Sequence, residues 1–362
     1  MKIRVLLTLL LVLMSGCVVP LERRPPGTVI PNDLTTETPG TTLENPALFD
    51  LPSGVNPLTG LPADLAALDL PPLLVKISNA PPLVRPQAGL ASADIVYEHY
   101  VEGGLTRFSA VYYGQTPERV GSIRSARLID YELAPMYRAW LVFSGASTGV
   151  EDRLNTSDFR ERLFKGVLFG LPHFWRDESI EVPHNLFANL SALRTLTQPG
   201  RPALRGLTFS GEAPLGSSEA VTTLDIRYRA TRVRWDYDAA SGLYRRSADG
   251  LGHYDANTMQ QVTAANVIVL YAEHQLSDIV ESQFQDSVSY GFEIRLWFEG
   301  DAVLFRDGRR YVARWVRPTR EDMIGLRTLD GAPLDLKPGN TWIQVVRLPE
   351  QQNPAEEWVK WQ

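Results

Sequence analysis

The sequence predicts an α+β protein, in which an N-terminal mixed α/β domain is followed by a smaller, mostly antiparallel β domain. Between residues 56 and 197, short apolar runs that are typical of strands alternate with helical patterns. Residues 198–218 form a looser stretch that holds several Pro and Gly residues. From residue 222 onward the pattern is almost entirely that of short strands separated by turn signals. These three observations place a domain boundary within 198–218.

The N-terminus has the pattern of an export signal. A basic lead at residues 1–4 precedes an apolar run at 5–14, and Ser-Gly-Cys follows at 15–17. This order is typical of a secretory signal peptide, and the run is shorter than the roughly 20 apolar residues that a spanning helix needs. Residues 13–17 resemble a bacterial lipobox, so we expect a lipid on Cys17, the only cysteine. The alternative is an ordinary signal peptide with an incidental cysteine.

Residues 18–55 are rich in Pro, Thr, Gly and Asn, and we expect them to form a disordered tether. Together with a lipid on Cys17, the tether would hold a folded body on the extracytoplasmic side of a bacterial membrane. Two or more acyl chains anchor a protein stably, whereas one does so only marginally. The predicted division is a signal peptide at 1–17, the tether at 18–55, an N-terminal domain at 56–200 and a C-terminal domain at 219–350.

Composition and motif content exclude several function classes. The net charge of −6 and the pI near 5.5 argue against a nucleic-acid partner, which calls for a basic face. The five histidines lack the spacing of a metal site, and the single cysteine cannot form an intramolecular disulfide. The chain has no Walker-type loop and no Gly-x-Ser-x-Gly elbow. We therefore predict neither a metal nor a cofactor.

The first half begins with a buried strand and a β-hairpin. The apolar run 73–78 is stopped by a turn that contains two prolines, as expected of a buried strand. Two β-rich runs flank Gly103-Gly104, which we interpret as the loop of a hairpin over 93–113. The alternative is a helix through 94–102, which would stack Asp94, Glu98 and Glu102 at spacings where like charges repel.

A two-residue loop at Gly103-Gly104 fixes the register of this predicted hairpin and puts Glu98 opposite Ser109. One face of the hairpin is then charged, because side chains alternate between the two faces. This charged face carries Glu98, Glu102 and Arg107. The other face is apolar enough to be core, and it is formed by Ile95, Tyr97, His99, Val101, Phe108 and Ala110.

Two arginines flank the start of a helix predicted over 126–137. Ser125 is its expected N-cap, and Arg124 and Arg127 lie on either side of that residue. Cations at a helix N-terminus oppose the helix dipole, so these arginines need a nearby anion, either a carboxylate of the protein or a bound ligand. The pattern then predicts a strand over 139–143 and a helix over 186–196.

The second half predicts a small antiparallel sheet, sandwich or open barrel. Alternating runs at 222–228, 232–237 and 291–298 indicate strands, as does the continuous apolar run at 267–271. A hairpin loop within 237–246 and Asp-Gly pairs at 307–308 and 330–331 indicate turns. A last strand at 341–346 closes the predicted domain.

Several sequence blocks resemble the YerB-like bacterial lipoprotein family. In the first half these include Asn-Pro-Leu-Thr-Gly at 56–60, Val-Glu-Gly-Gly-Leu-Thr-Arg-Phe at 101–108 and Ser-Ile-Arg-Ser-Ala-Arg at 122–127. In the second half they include Leu-Tyr-Ala-Glu-His at 270–274 and Lys-Pro-Gly-Asn-Thr-Trp-Ile at 337–343. The resemblance spans about residues 56–346 in the two-domain order of that family. It implies a lipid anchor and two domains but no reaction, because the family has no known function.

Seven residues of the first half are candidates for binding a ligand. Guanidinium groups bind phosphate or carboxylate through paired hydrogen bonds, and an anion at the start of a helix gains from free N–H groups. We therefore predict an anion-binding cleft for an envelope molecule such as a polyprenyl pyrophosphate, a teichoic acid or a peptidoglycan carboxylate. The candidate residues are Arg85, Glu98, Glu102, Arg107, Arg124, Arg127 and His184.

Three other interpretations of these residues stay open. The first is a structural salt-bridge network that fixes the hairpin against the helix. The second is an envelope phosphotransferase or hydrolase with Glu98 or Glu102 as base; the arginine block loosely resembles that of LytR-CpsA-Psr phosphotransferases, although their Pro-Arg-Asp motif is absent. The third is a non-catalytic scaffold that binds another envelope protein. If the arginines converge on a pocket that solvent reaches, ligand binding is favoured. If each arginine is buried and fully paired with a glutamate, a structural role is favoured.

Overall fold

The computed structural model describes residues 53–362, so the predicted signal peptide, Cys17 and nearly all of the predicted tether lie outside the described residues. The described helices are α1 (Leu65–Leu68), α2 (Ile129–Met136), α3 (Thr148–Asn155) and α4 (Leu190–Arg194). The strands of the first half are β1 (Leu73–Ser78), β2 (Ile95–Tyr100), β3 (Thr106–Tyr112), β4 (Val120–Gly121), β5 (Trp140–Phe143), β6 (Leu163–Lys165), β7 (Phe174–Arg176) and β8 (Leu186–Ala188).

The second half is built almost entirely from strands. Those before residue 275 are β9 (Glu219–Ala220), β10 (Thr223–Tyr228), β11 (Thr231–Asp238), β12 (Leu243–Ala248), β13 (Leu251–Gly252), β14 (Thr263–Ala264) and β15 (Asn266–Ala272). They are followed by β16 (His274–Phe284), β17 (Ser287–Ile294), β18 (Phe298–Arg306), β19 (Arg309–Arg317), β20 (Gly325–Arg327), β21 (Thr341–Arg347) and β22 (Trp358–Trp361). Few helices and many strands in several sheets confirm the predicted α+β class.

The central sheet is mixed and takes strands from both halves of the chain. Its order is β20-β19-β18-β15-β21-β2-β3-β1-β5-β6, with β9 paired to β19. Strand β21 lies between β15 and β2 and is parallel to both, whereas β3 is antiparallel to β2 and to β1. The sequence predicted a separate sheet for the second half, but four of its longer strands, β15, β18, β19 and β21, extend the sheet of the first half together with the short strands β9 and β20.

The remaining strands form three smaller sheets. One has the order β13-β12-β11-β10-β22 with β14 on β12, and another the order β4-β8-β7. Strands β16 and β17 pair only with each other, and this hairpin packs against α3. The Asp-Gly turn predicted at 307–308 joins β18 to β19, and both of its residues have positive φ.

Apolar layers cover both faces of the central sheet. Strand β1 shows this, since its side chains alternate between the two faces and all of them are buried. Leu74 packs in the layer that includes α2 and α3. Leu73 and Val75 pack in the opposite layer, which includes the inner face of the β10–β12 sheet. The sheet therefore separates two environments, and the face that a side chain occupies decides which groups it can meet.

The β2–β3 hairpin is confirmed, but its register differs from the predicted one by one residue. A 3₁₀ turn over Glu102–Gly104 lengthens the loop, with φ of 73° at Gly103 and 74° at Gly104. Consequently His99 pairs with Arg107, and Glu98 pairs with Phe108. A slip of one residue exchanges the two faces. Arg107 therefore does not share a face with Glu98, and the alternative helix through 94–102 is wrong.

Two predicted helices also differ from the structure. Helix α2 begins at Ile129 rather than at residue 126, and Ser125 does not cap it. Instead, Asp130 Oδ2 in its first turn accepts the backbone N–H of Arg127 at 2.7 Å. The helix predicted over 186–196 is the strand β8 followed by the short helix α4. In α4, Asn189 is the N-cap and accepts from the Ala192 N–H, so the segment has a helix start that the apolar pattern alone did not locate.

Candidate functional site

Glu102 and Arg127 form the centre of a charged cluster at the loop end of the β2–β3 hairpin. Arg127 Nε donates to Glu102 Oε2 at 2.8 Å, and Arg127 Nη2 donates to Oε1 of the same carboxylate. Arg107 Nη2 lies 4.0 Å from Glu102 Oε1, and Arg107 Nη1 donates to the Ser125 carbonyl at 2.8 Å. These side chains are mostly buried, with 19% of Glu102, 10% of Arg107 and 11% of Arg127 exposed.

Arg124 is the third arginine of this group, and it is the least well paired. Its Nη1 makes one long contact, 3.4 Å, to the carbonyl of Pro183. Its Nε is buried and has no hydrogen-bond partner among the described residues. His184 follows Pro183, and its Nδ1 is likewise buried without a partner in the described part of the chain. We call Glu102, Arg107, Arg124 and Arg127 the arginine cluster.

The electrostatics of the arginine cluster show an excess of positive charge. Burial, and then the charges of Arg127 and Arg124, lower the pKa of Arg107 to about 9. Burial and the charge of Arg127 also lower the pKa of Arg124. Burial would raise the pKa of Glu102, but the hydrogen bonds and charge of Arg127 outweigh it and lower this pKa to about 2. Glu102 is therefore ionised at neutral pH, yet one carboxylate does not balance three guanidinium groups.

The β16–β17 hairpin contributes a second carboxylate at this place. Glu281 Oε2 lies 3.4 Å from Arg127 Nε, and the Glu281 side chain is fully buried. Neither carboxylate oxygen makes a hydrogen bond within the described residues. The Ser147 hydroxyl lies beside this carboxyl without making a hydrogen bond in good geometry. Burial raises the pKa of Glu281, and the charge of Arg127 opposes that effect.

A fully buried polar group lies on the same face of the sheet as Arg107. Lys76 Nζ lies 3.0 Å from Asp130 Oδ1 and 3.0 Å from His99 Nε2, and it donates to Ser109 Oγ at 2.5 Å. None of the four side chains is exposed. Burial lowers the pKa of Lys76 to about 8 against the opposing charge of Asp130, and burial with the charge of Lys76 holds the pKa of His99 well below its ordinary value. The group is buried and mutually paired, so it fixes β1, β3 and α2 together.

Glu98 and Arg85, the other two predicted site residues, lie away from the arginine cluster. Glu98 forms a fully buried ion pair with Arg246 at 2.8 Å. It also accepts hydrogen bonds from Asn79 at 3.0 Å and from Thr106 at 2.9 Å. Arg85 donates to the side-chain oxygen and the carbonyl of Asn79. These two residues therefore belong to a paired network on the opposite face of the sheet.

The structure thus brings five of the seven candidate residues to one place. Glu102, Arg107 and Arg127 are in contact, and Arg124 and His184 lie beside them. The sequence analysis did not identify Lys76, Ser147 or Glu281. A lysine inside the apolar run 73–78 was the available signal for Lys76. No local pattern marks Ser147 or Glu281, because tertiary packing alone brings them to the cluster.

Surface clefts occur elsewhere on the molecule. One of about 610 Å³ is lined by Asp225, Arg232 and residues 358–362. Another of about 330 Å³ is lined by residues between 166 and 186, including Phe169 and Trp175. Neither contains a predicted site residue.

Over residues 53–362, no three His, Cys, Asp or Glu side chains are grouped so that they could hold a metal ion. None of the helices found there has the length and apolarity to cross a membrane.

Sequence and structure comparisons give consistent results. Residues 58–201 match the N-terminal domain, and residues 224–343 the C-terminal domain, of a family described as a protein of unknown function, DUF3048. YerB of Bacillus subtilis, which is named as a candidate lipoprotein, is 31% identical over 302 residues, or 80% of this chain and 85% of that protein. The crystal structure of Bacillus subtilis YerB matches with a TM-score of 0.69 at 28% identity, and the match covers 84% of this chain and 99% of that one.

Proposed function

This chain belongs to the DUF3048 family, and from that premise we propose that it is a lipid-anchored protein of the bacterial cell envelope that binds an anionic ligand at the arginine cluster. The lipobox-like segment that ends at Cys17 supports the anchor, as does the name of its Bacillus subtilis relative. The anchor would hold the folded body outside the cytoplasm, close to the membrane.

One observation carries the ligand-binding part of this proposal. Arg124 is half-buried beside two other arginines, yet it makes only one long hydrogen bond and its Nε has no acceptor in the described part of the chain. A buried donor without a partner costs about 1–3 kcal/mol, and more when it is charged. A phosphate or carboxylate at this position would accept from Arg124 and offset the repulsion among the three guanidinium groups.

The arrangement supports catalysis less well. Glu98 cannot act as a base for a ligand at the arginine cluster, because it lies on the other face of the sheet and is paired with Arg246. Glu102 faces the cluster, but Arg127 holds its carboxylate through two contacts and lowers its pKa to about 2. A carboxylate with so low a pKa is a weak general base at neutral pH. Binding is therefore the function that this geometry favours.

Calorimetry on the mature protein tests the proposal. We would titrate it with a polyprenyl pyrophosphate, a teichoic acid fragment and a muropeptide. We expect at least one of them to bind, with an affinity that falls as salt rises, since the cluster is reached by solvent at Arg124. Arg124→Ala should weaken this binding about tenfold or more. Arg201→Ala, which removes an exposed arginine far along the chain, is the matched control and should leave the affinity unchanged.

The result that would contradict the proposal is equally clear. If none of the three molecules binds and Arg124→Ala lowers the melting temperature, the arginine cluster is a structural network. That outcome would favour the scaffold interpretation, in which the β-rich half of the protein contacts another envelope protein.

A further inference from the structure

The outward face of the sheet that contains β22, β10, β11 and β12 carries more cations than carboxylates. Leu224, Ile226 and Val233 are fully buried on the inner face, so the side chains that alternate with them lie on the outer one. We call the charged residues of the outer face the basic sheet face: Arg227, Arg232, Arg234, Arg245 and Lys360 with Asp225, Asp236 and Asp238. This face is basic, although the whole chain has a net charge of −6.

The carboxylates of the basic sheet face are already engaged by its arginines. Asp225 accepts from Arg232 at 3.0 Å through one oxygen and from Arg234 at 3.2 Å through the other. The other two carboxylates are also paired with arginines of this face. Arg227 lies directly opposite Arg232 on the paired strand, where like charges repel. In the described part of the chain, Arg227 and Lys360 form no ion pair, so both lack an anion.

The cleft of about 610 Å³ lies at the β22 edge of this sheet, and Arg232, Trp358 and Lys360 are among the residues that line it. Both cations lie against the Trp358 ring, with Arg232 Cζ 5.7 Å and Lys360 Nζ 4.6 Å from its centre. Asp225 also lines the cleft, but its side chain is only 13% exposed and both of its oxygens are occupied. The cleft therefore presents cations and an aromatic ring in a space of the size that small ligands occupy.

We propose that the basic sheet face binds the surface of the membrane that carries the protein, and that the cleft beside Trp358 receives the phosphate headgroups of anionic lipids. Guanidinium and ammonium groups donate to phosphate oxygens, so Arg227 and Lys360 gain the anion that they lack. Tryptophan is typical of the boundary between headgroups and acyl chains. The inference goes beyond the arginine cluster and takes only the lipid anchor from the proposed function.

The proposed anchor makes a membrane the expected partner of this face. Residues 18–52 separate Cys17 from the described body, and this length of chain spans at most roughly 120 Å. A tether of this reach allows the body to turn any face towards the lipid, and it keeps that face at a high effective concentration. A modest excess of cations then selects one orientation, because each Lys or Arg near an anionic membrane strengthens binding about fivefold.

Co-sedimentation with vesicles tests this inference. The mature chain is produced without the signal peptide and with Cys17→Ser, so that binding reports the folded body rather than the anchor. We expect it to bind vesicles of equal parts phosphatidylcholine and phosphatidylglycerol about tenfold or more tightly than vesicles of phosphatidylcholine alone. This affinity should fall as salt rises. Arg227→Gln combined with Lys360→Gln should weaken binding to the anionic vesicles about tenfold or more.

The fluorescence of Trp358 gives a second measurement, which concerns the cleft itself. The emission of this residue is obtained as the difference between the Cys17→Ser chain and the same chain with Trp358→Phe. We expect it to shift to shorter wavelength on the anionic vesicles, because lipid replaces water at the half-buried ring. An emission that is unchanged while the protein is bound would overturn the assignment of the cleft.

Two controls separate this inference from the proposed function. Arg201→Gln with Arg205→Gln removes the same charge from exposed positions outside the sheet and should leave the vesicle affinity unchanged, as should Arg124→Ala. Equal binding to both kinds of vesicle, or equal losses in the two double variants, would overturn the inference and leave ligand binding at the arginine cluster intact. Loss of vesicle binding in Arg124→Ala alone would place the lipid at the arginine cluster, which would overturn the inference and support the proposed function.

Discussion

Glu98 and Arg107 lie on opposite faces of the central sheet, although they belong to the two paired strands of one hairpin. Glu98 pairs with Phe108 and forms its ion pair with Arg246, whereas Arg107 pairs with His99 and turns towards Glu102. The two charged groups therefore have separate roles. The Glu98 face is a closed, paired network, and the Arg107 face leads to the arginine cluster.

The ion pair between Glu98 and Arg246 should be essential for stability. Both side chains are fully buried, so Arg246→Met leaves a carboxylate without its charge partner and should cost about 3–5 kcal/mol of unfolding free energy. Arg245→Met is the matched control, because Arg245 is half-exposed in its pair with Asp238 and should cost less than about 1 kcal/mol. Denaturant unfolding measures both, and equal losses would contradict the prediction. Neither change should alter anion affinity, which calorimetry can check.

Glu102 should make stability depend on pH in the acid range. Its pKa is lowered from 4.5 to about 2 in the folded protein, so its ionised form stabilises the fold. This contribution is fully present above about pH 4.5 and is lost as the pH falls towards 2. Glu102→Gln should therefore lose roughly 3 kcal/mol at pH 7, and the deficit should shrink below pH 4.5. Denaturant unfolding at several pH values measures the deficit.

The control for this pH dependence is Glu161→Gln. Glu161 is 86% exposed in its contact with Arg160, and an exposed pair of this kind contributes little. We expect the unfolding free energy of Glu161→Gln to follow that of the wild type across the whole pH range. A deficit of Glu102→Gln that stayed constant from pH 2 to pH 7 would show that packing, rather than charge, accounts for the effect.

The anchor prediction concerns a residue outside the described part of the chain. Cys17→Ser should release the protein from the membrane fraction or leave it as an uncleaved precursor, because the lipid would have no thiol to attach to. Val19→Ser, two residues further on, should stay in the membrane fraction. Cell fractionation with detection of the folded body measures both, and a wild-type protein recovered as soluble would contradict a lipid anchor.

The sequence predicted the hairpin but not its register, and the reason is local. Alternating residues on either side of two glycines indicate paired strands, whereas the register depends on how many residues the loop takes up. The 3₁₀ turn at Glu102–Gly104 uses more than the two glycines. The predicted charged face therefore joined Glu98 to Arg107, which the structure separates, whereas Arg127 contacts Glu102 and Arg124 lies near both.

The parts of the site that the sequence did not predict depend on long-range packing. Strand β21 lies between β15 and β2, and this joins the two halves in one sheet. The β16–β17 hairpin then reaches the 3₁₀ turn and α3, so Glu281 meets Arg127 across more than 150 residues of chain. Periodicity reports the burial of a residue along its own element, but it does not report which distant element covers that residue.

A close contact between Gly149 of α3 and Ile279 of β16 should control the position of Glu281, which lies two residues further along that strand. A Cβ at position 149 would lie 2.8 Å from Ile279 Cγ2 and 3.1 Å from Cγ1, too close for a branched side chain to adapt without movement. Gly149→Ala should therefore push the β16–β17 hairpin away from α3. Alanine favours a helix by about 1 kcal/mol over glycine, so a net loss of stability would mean that the clash outweighs this gain.

Hydrogen exchange and thermal unfolding measure the effect of Gly149→Ala. We expect faster amide exchange over residues 274–294 and a net loss of about 1–2 kcal/mol, as overpacking of a tight contact gives. Gly145→Ala is the matched control, because a Cβ there would meet nothing within 4 Å and the residue has no positive φ. If Gly149→Ala were more stable than the wild type with unchanged exchange, the hairpin would adapt to the extra methyl group. Glu281 would then keep its place beside Arg127 without help from this glycine.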